Sequence, residues 1–536
     1  MPMALYEGKF ELPELPPMAL YLLYAVLKDN GYDVTVVDPY EFIEFEGKKS
    51  EGGLIAICYE YLKSKISEDD IVCFSANSFT WGISKEIANK ISENNQEQKI
   101  IFGGLHPTLF DEHVLKVTNA SLVVRGEGEK KLLYVIDAMI NRKSLSKIKG
   151  ITYRRGSKII RNPDELRLTE EELGESPLPD FSVVPVVAKY KYMPIEASRG
   201  CKFSCAFCSI TNKSMWKGIS VDSLEHRVCD IMKYKHMFYP GENIVFMDDC
   251  FTADGERAKE IIFRIKDYLG NSKICIEVRA TDVLRSDLFD NINKDIIMWL
   301  QIGVECGYNE GLKRIKKGLT LELLYAALDK LVENGFSKKM FLSFIIGFPW
   351  EGLEDINKTL DTIEDISARF GIACNVNWLW FLPSALWDER ERYGIMVNEQ
   401  IFDDAYWVAS EFNFYRTHPL VSENIIIHVH KRVWKMVECG LPVNLNMPFF
   451  MSEKLIIKGE CIVLSKERAD IITSIFEEDL VRAKELSTLE ANKAVEEINK
   501  LKPGHGFTLD ELIEYSKSTQ WLEFKEFDPV ALWLGL

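Results

Sequence analysis

Three cysteines stand close together in the run Cys201-Lys-Phe-Ser-Cys205-Ala-Phe-Cys208. Thiolates are soft ligands that suit an iron–sulfur cluster or zinc. The run follows a predicted strand and the tight turn Arg199-Gly200, so its sulfurs can wrap one face of a cubane cluster. No fourth cysteine sits at a nearby spacing, which leaves one iron open to an outside ligand. A structural zinc site would call for two paired Cys/His clusters, and no second pair is evident. The other nine of the twelve cysteines (Cys58, Cys73, Cys229, Cys250, Cys275, Cys306, Cys374, Cys439 and Cys461) are scattered through apolar segments and read as small buried hydrophobes.

A second set of chemically capable residues lies downstream. Charged or turn-forming residues end successive apolar segments: Phe246-Met-Asp248-Asp249, Glu277-Val-Arg279, Ile302-Gly-Val-Glu305-Cys-Gly307 and Phe344-Ile345-Ile-Gly347-Phe-Pro349. A charge embedded in an apolar core is costly without a partner. At the carboxyl ends of barrel strands the same residues would line an active face. A salt-bridged strand end explains any one of them equally well; their recurrence favours a shared site.

The elements that must position these residues fall into two alternating series. From about Pro17 to Asp137, candidate strands at Val34–Val37, Ile71–Ser75, Lys99–Gly103 and Leu122–Arg125 alternate with helical patterns at Met18–Asp29, Leu54–Lys65, Ile83–Asn94 and Lys130–Ile140. Such alternation predicts a parallel sheet covered on both faces, with ligands at the strands' carboxyl ends. Residues 149–192 form a charged, Pro-marked linker with a small hairpin candidate at Ile151–Arg154 and Lys158–Arg161.

The second series has strands at Met193–Ala197, Asn243–Met247, Lys273–Val278, Ile297–Val304, Met340–Gly347 and Ala373–Trp380. One of its helices is Leu321–Glu333, where Leu321, Leu324, Leu328 and Leu331 recur at helical spacing. The predicted class is α/β: a Rossmann-like (flavodoxin-like) parallel sheet domain over 1–148, a linker, a partial (β/α)6 barrel over 193–385, and a mainly α region over 386–536 with a long helix candidate at Leu480–Leu501.

A chain of 536 residues needs more than one hydrophobic core. Its net charge of −17 argues against a nucleic-acid partner held through phosphates. No signal peptide and no membrane-length apolar run are visible, so a reducing cytoplasm is expected.

The spacing Cys-x3-Cys-x2-Cys, with Phe207 before the last cysteine, resembles the radical S-adenosylmethionine (SAM) superfamily signature. That resemblance implies a 4Fe–4S cluster held by Cys201, Cys205 and Cys208, whose open iron chelates SAM and cleaves it reductively to a 5′-deoxyadenosyl radical. By the same resemblance Phe207, Asp248, Asp249, Arg279 and Glu305 lie around SAM, while Ile345 and Gly347 cradle its adenine.

Upstream, Ser75-Ala-Asn77-Ser78, Gly103-Gly104-Leu105-His106-Pro107-Thr108 and Arg125-Gly126-Glu127-Gly128-Glu129 each follow a candidate strand. Their order resembles the cobalamin-binding domain of cobalamin-dependent radical SAM enzymes, with the corrin over these strand ends and its tail at the Gly103–Thr108 turn. The first strand of such a domain is missing or reduced to about Met3–Tyr6. The Asp-x-His-x-x-Gly motif of other cobalamin proteins is absent, so no protein histidine on cobalt is expected, and His106 reads as a tail contact or plain loop structure.

The family implies a methyltransferase that moves a methyl group from SAM through methylcobalamin to an unactivated carbon of a peptide or small natural-product substrate. It also implies an external one-electron reductant such as flavodoxin or ferredoxin, and a monomer is expected. Alternatives are a cobalamin-dependent cyclase or rearrangement enzyme, or a non-catalytic corrinoid or metal module. His428 and His430, in Ile-His-Val-His, would point apart on a helix and are not expected to bind metal. Trp378, Trp380, Trp387, Tyr393, Tyr406 and Trp407 read first as core packing and second as walls of a substrate pocket.

Overall fold

The computed structural model describes residues 4–6, 9–11, 15–38, 40–41, 53–403, 418–445 and the strands between 449 and 463, apart from positions 165, 166, 187, 189, 212, 239–242 and 291. The helix candidate Leu480–Leu501, Tyr406 and Trp407 lie outside the described residues. Near the start, β1 (Ala4–Tyr6) and β2 (Lys9–Glu11) pair antiparallel as a separate hairpin. They therefore do not supply the reduced first strand expected at Met3–Tyr6.

The first large sheet has the order β3 (Ile71–Ser75), β4 (Lys99–Gly103), β5 (Leu122–Val124), β6 (Ile151–Arg155), β7 (Lys158–Arg161). The first three strands run parallel, and the β6–β7 hairpin continues the sheet antiparallel from β5. Helices Met18–Asp29, Gly53–Lys65, Trp81–Asn94 and Glu129–Ile140 accompany it. The strand expected at Val34–Val37 does not form, and those residues carry no regular structure. β-branched residues favour strands only where a neighbouring strand is available. The segment instead leads into Asp38, whose carboxylate is fully buried.

The second large sheet has seven strands in the order β16 (Val443–Leu445), β15 (Ala373–Trp378), β14 (Met340–Ile346), β13 (Ile297–Glu305), β12 (Ile274–Val278), β11 (Asn243–Phe246), β8 (Tyr192–Ile195), all parallel. Two short strands, β9 (Ser198–Arg199) and β10 (Lys217–Gly218), pair antiparallel beside it. Six strands match the expected partial barrel; β16 is an addition, brought in by the helix Glu423–Glu438. A further three-stranded antiparallel sheet, β17 (Phe449–Met451), β18 (Lys454–Ile457) and β19 (Glu460–Val463), follows. Among the described residues the region beyond 386 is mainly helical, as expected, with β16 and this small sheet in addition.

Local chemistry accounts for the helices. Thr320 accepts a hydrogen bond from the amide of Leu323 to start Leu321–Glu333. Leu324, Leu328 and Leu331 of that helix are fully buried, each contributing about 1.5–3 kcal/mol relative to exposure. No helix among the described residues is long and apolar enough to cross a membrane.

Asp38 ties the first domain to the barrel. It accepts hydrogen bonds from Tyr21 Oη on the first helix, from Tyr190 Oη (2.7 Å) just before β8, and from the Tyr40 amide (2.9 Å). Burial pushes its carboxyl above the usual range, while these donors oppose the shift. Removing the acceptor would strand three donors in the interior. Asp38→Ala should therefore lower the unfolding free energy by about 3 kcal/mol in denaturant titrations. A loss under about 0.5 kcal/mol would show that water replaces the carboxylate.

Candidate active site between two loop systems

The cysteine loop is fixed at its base by two consecutive carboxylates. Asp248 and Asp249 follow β11, and Asp248 accepts from the Ala197 amide (2.8 Å) and from Ser198 Oγ. Asp249 accepts from the Gly200 amide (2.9 Å), and Gly200 takes φ +82°, which an L side chain rarely adopts. Burial pushes the Asp248 carboxyl up to about 7. Expected beside SAM, Asp248 has both oxygens engaged with the backbone and hydroxyl that precede the cysteines.

Cys201 and Cys205 are buried and Cys208 is half-buried. The loop is braced by the Ala206 amide on the Ile315 carbonyl (2.8 Å) and the Leu386 amide on the Ala206 carbonyl (3.0 Å). Arg279 ends β12 with its guanidinium 3.6 Å from the Phe203 ring centroid and 3.8 Å from Cys205 Sγ. A hydrogen bond from Cys250 brings the Cys201 thiol down to about 6, and burial pushes Cys208 up to about 11. Cys250, read from sequence as a plain hydrophobe, thus lies against the first cysteine.

Among the described residues no three His, Cys, Asp or Glu side chains are already drawn into one metal cage. The donor set nonetheless fits a cluster held by three thiolates. Three soft sulfurs share one braced loop, a thiolate is favoured at its first member, and a guanidinium stands beside its second.

Glu305 ends β13 with φ +75°, where the pairing with β14 slips by one residue. A strained non-glycine backbone of this kind persists only where its surroundings enforce it. Here the enforcement is an ion pair between Glu305 Oε1 and Lys317 Nζ (2.7 Å), both buried. A Cβ on Gly303 would lie 2.4 Å from that same Glu305 oxygen, so the carboxylate needs a glycine beneath it. Sequence reasoning missed Lys317, because Arg314-Ile-Lys-Lys317 looks like an ordinary charged helix end. Glu277 faces the same cluster; desolvation, then repulsion from Asp249 and Glu305, pushes its carboxyl up to about 7.

The turn after β14 is held from within. Glu351 is fully buried and accepts from the Gly347 amide (2.7 Å), the Phe348 amide (3.0 Å) and Tyr308 Oη (2.9 Å). His418 braces the same turn, with its Nε2 3.2 Å from the Phe348 carbonyl and its Nδ1 accepting from the Val421 amide (2.9 Å). Neither residue was anticipated; the only sequence signal was Glu351 directly after the Gly-Phe-Pro-Trp run.

On the first domain, Asn77 Oδ1 caps the amides of Phe79 and Thr80, and Ser78 Oγ lies 3.1 Å from His106 Nδ1. Gly104 has φ +96°, and a Cβ there would come within 2.5 Å of the Ala76 carbonyl oxygen. The close approach joins the β3 and β4 loops, reinforced by Ala76 N to Gly103 O (2.9 Å). Leu105, His106 and Pro107 open a short helix, and Thr108 Oγ1 reaches back to Gly104 O (2.7 Å) while accepting from Gly126 N (2.9 Å). Gly128 precedes the helix Glu129–Ile140.

The His106 ring is fully buried, stacked on Trp81 (centroids 4.9 Å apart) and edge-on to Phe402. Burial lowers its pKa to about 3, so it stays neutral. Glu127 accepts from the Leu168 amide (2.7 Å) and pairs with Arg199.

Aromatic contacts close the gap between domains. Trp380 lies 4.3 Å from Phe79, and Trp387 packs on Phe402 and Phe110. Trp378 is buried, and the Tyr393 ring lies tilted against Trp350, centroids 5.8 Å apart. His428 bonds to Asn357 while His430 is buried, and they join no metal-ligand group among the described residues.

Two family models match in tandem. The B12 binding domain covers residues 12–135 and the Radical SAM superfamily covers residues 195–363. The chain therefore carries a radical SAM domain preceded by a B12-binding domain. The first domain implies cobalamin; the second implies a 4Fe–4S cluster and SAM.

An uncharacterized methyltransferase of Pyrococcus horikoshii is 27% identical over 376 residues, covering 67% of this chain and 76% of that protein. The 4'-phospho-dehydrooxetanocin synthase of Priestia megaterium is 26% identical over 410 residues, covering 71% of this chain but only 53% of the synthase. The structure of the cobalamin-dependent SAM radical enzyme OxsB with aqua-cobalamin and SAM bound matches with a TM-score of 0.54 at 18% identity, covering 94% of this chain and 68% of that one, a likeness of fold.

Two predictions follow from the geometry. Gly104→Ala should lose cobalamin binding, read as corrinoid absorbance per chain, while retaining the cluster; unchanged corrinoid would mean that the close approach is dispensable. The second concerns Glu351, whose carboxyl burial pushes up to about 7. Its contribution to stability is full below about 4.5 and is lost as the pH rises through about 7. Relative to Glu351→Gln, the native chain should therefore lose unfolding free energy between pH 5 and 7, and a pH-independent difference would contradict the shift.

Proposed function

We propose that this chain is a cobalamin-dependent radical SAM methyltransferase that methylates an unactivated carbon of a peptide or small natural-product substrate. The observation that carries the reading is the direct contact between the two loop systems, in which Arg199, two residues before Cys201, pairs with Glu127 and Glu129 of the first domain. When bound, the cluster and SAM supply one-electron cleavage and cobalamin supplies a methyl carrier.

The chain's own residues bind, orient and exclude water. Cys201, Cys205 and Cys208 would hold the cluster and leave one iron for SAM. Arg279 sets positive charge beside Cys205, Glu305 and Lys317 present a fixed ion pair, and Glu351 holds the Gly347 turn where the adenine would rest. The seam of Phe79, Trp380, Trp387 and Phe402 keeps water from the interval between the domains. An external one-electron reductant such as flavodoxin or ferredoxin would serve the cluster, and the chain would work as a monomer.

A second reading, ring closure or rearrangement without methyl transfer, is favoured by another relative, the anaerobic magnesium-protoporphyrin IX monomethyl ester cyclase of Rubrivivax gelatinosus, 25% identical over 408 residues. Anaerobically loaded protein given SAM and reductant separates the two. Methyl transfer predicts both 5′-deoxyadenosine and S-adenosylhomocysteine; 5′-deoxyadenosine alone supports rearrangement, and neither product overturns both readings. Cys205→Ala should abolish 5′-deoxyadenosine while cobalamin stays bound.

A further inference from the structure

We propose that Arg199 is a positioning residue that sets the register between the corrin-side loop and the cysteine loop, so that one guanidinium fixes how the two cofactor sites face each other. The inference rests on the proposed function for what the loops hold, but its geometry belongs to the chain alone.

Arg199 is placed where a small displacement would be transmitted. Its side chain is only 14% exposed. It lies in β9, and the next residue, Gly200, is anchored by Asp249, so the guanidinium is tied to Cys201 through two peptide units. Toward the first domain, Nη2 meets Glu129 Oε1 at 2.7 Å and Nη1 meets Glu127 Oε1 at 3.6 Å. Its own domain contributes Glu196, 3.0 Å from Nε.

A continuous chain of contacts runs onward from Glu127. The neighbouring Gly126 donates to Thr108 Oγ1 (2.9 Å), and Thr108 Oγ1 donates to Gly104 O (2.7 Å). The glycine turn of the first sheet is thereby connected to the first cysteine of the second. The linker joins as well, because Glu127 also holds the Leu168 amide and Arg167 reaches the carbonyl of Thr211 (2.7 Å), three residues past Cys208.

The charge balance argues that geometry, not stability, is the reason for the cluster. Three carboxylates surround one guanidinium, all largely buried. Ionic groups taken out of water gain little net stability, and an apolar contact would join the domains as well. Burial depresses the charged form of neighbouring Arg167 and Arg227, while Glu127 and Glu196 respectively support it. What a guanidinium adds is a planar fork that serves several acceptors in fixed directions, which an ammonium cannot reproduce.

The test uses Arg199→Gln, Arg199→Lys and, from the other side, Glu129→Gln. In cofactor-free protein, amide exchange at 126–129 and at 199–203 should rise together by about tenfold in Arg199→Gln and in Glu129→Gln. In protein loaded with cluster and cobalamin and partly reduced, the spin–spin interaction between cob(II)alamin and the reduced cluster should change in both variants, although iron and corrinoid per chain stay at the native level. Arg199→Lys should give an intermediate change. Exchange that rises only in the substituted loop, or a spin interaction equal to the native one, overturns the proposal. If the native chain takes up no corrinoid, the functional reading fails, and the exchange experiment still decides whether the loops are coupled.

Discussion

The structure depends first on two adjacent carboxylates at the end of β11. Asp248 and Asp249 accept the backbone amides of Ala197 and Gly200, so the chain leaving β8 cannot drift before it reaches Cys201. A cysteine loop must be flexible enough to wrap a cluster, yet its entry must be fixed for SAM and corrinoid to face each other. Carboxylates that accept backbone N–H groups meet both needs, because they lock the entry without filling the loop. Buried at some electrostatic cost, they are placed for position more than for stability.

The same logic recurs at the other strand ends. Glu305 is held in a strained conformation by Lys317, and Glu351 props the turn after β14 by taking up two amides. Arg279 bridges the cysteine loop and the segment that carries Lys317. A parallel sheet gathers such residues automatically, since all its carboxyl ends lie on one side.

Much of this was legible in the sequence, for physical reasons. The cysteine spacing is dictated by the cluster, and buried parallel strands read as apolar runs that stop at charged residues, so both the triad and Glu305 stood out. The strand expected at Val34–Val37 did not form, and the segment instead leads into Asp38, which is held in a tyrosine cluster, a tertiary effect that no local pattern carries. Lys317 and His418 were invisible because their partners lie on other elements, 12 and 70 residues away. β16 could not be foreseen, since three residues with one neighbouring strand leave no periodic signal.

The central claim is that one chain holds a cluster and a corrinoid on two loops that face each other. The absorbance spectrum of anaerobically purified and loaded protein tests it most directly. The account predicts the broad charge-transfer absorbance of a 4Fe–4S cluster together with corrinoid bands, each at an intensity that corresponds to one per chain. A spectrum with cluster absorbance and no retained corrinoid, or corrinoid and no cluster, would contradict it.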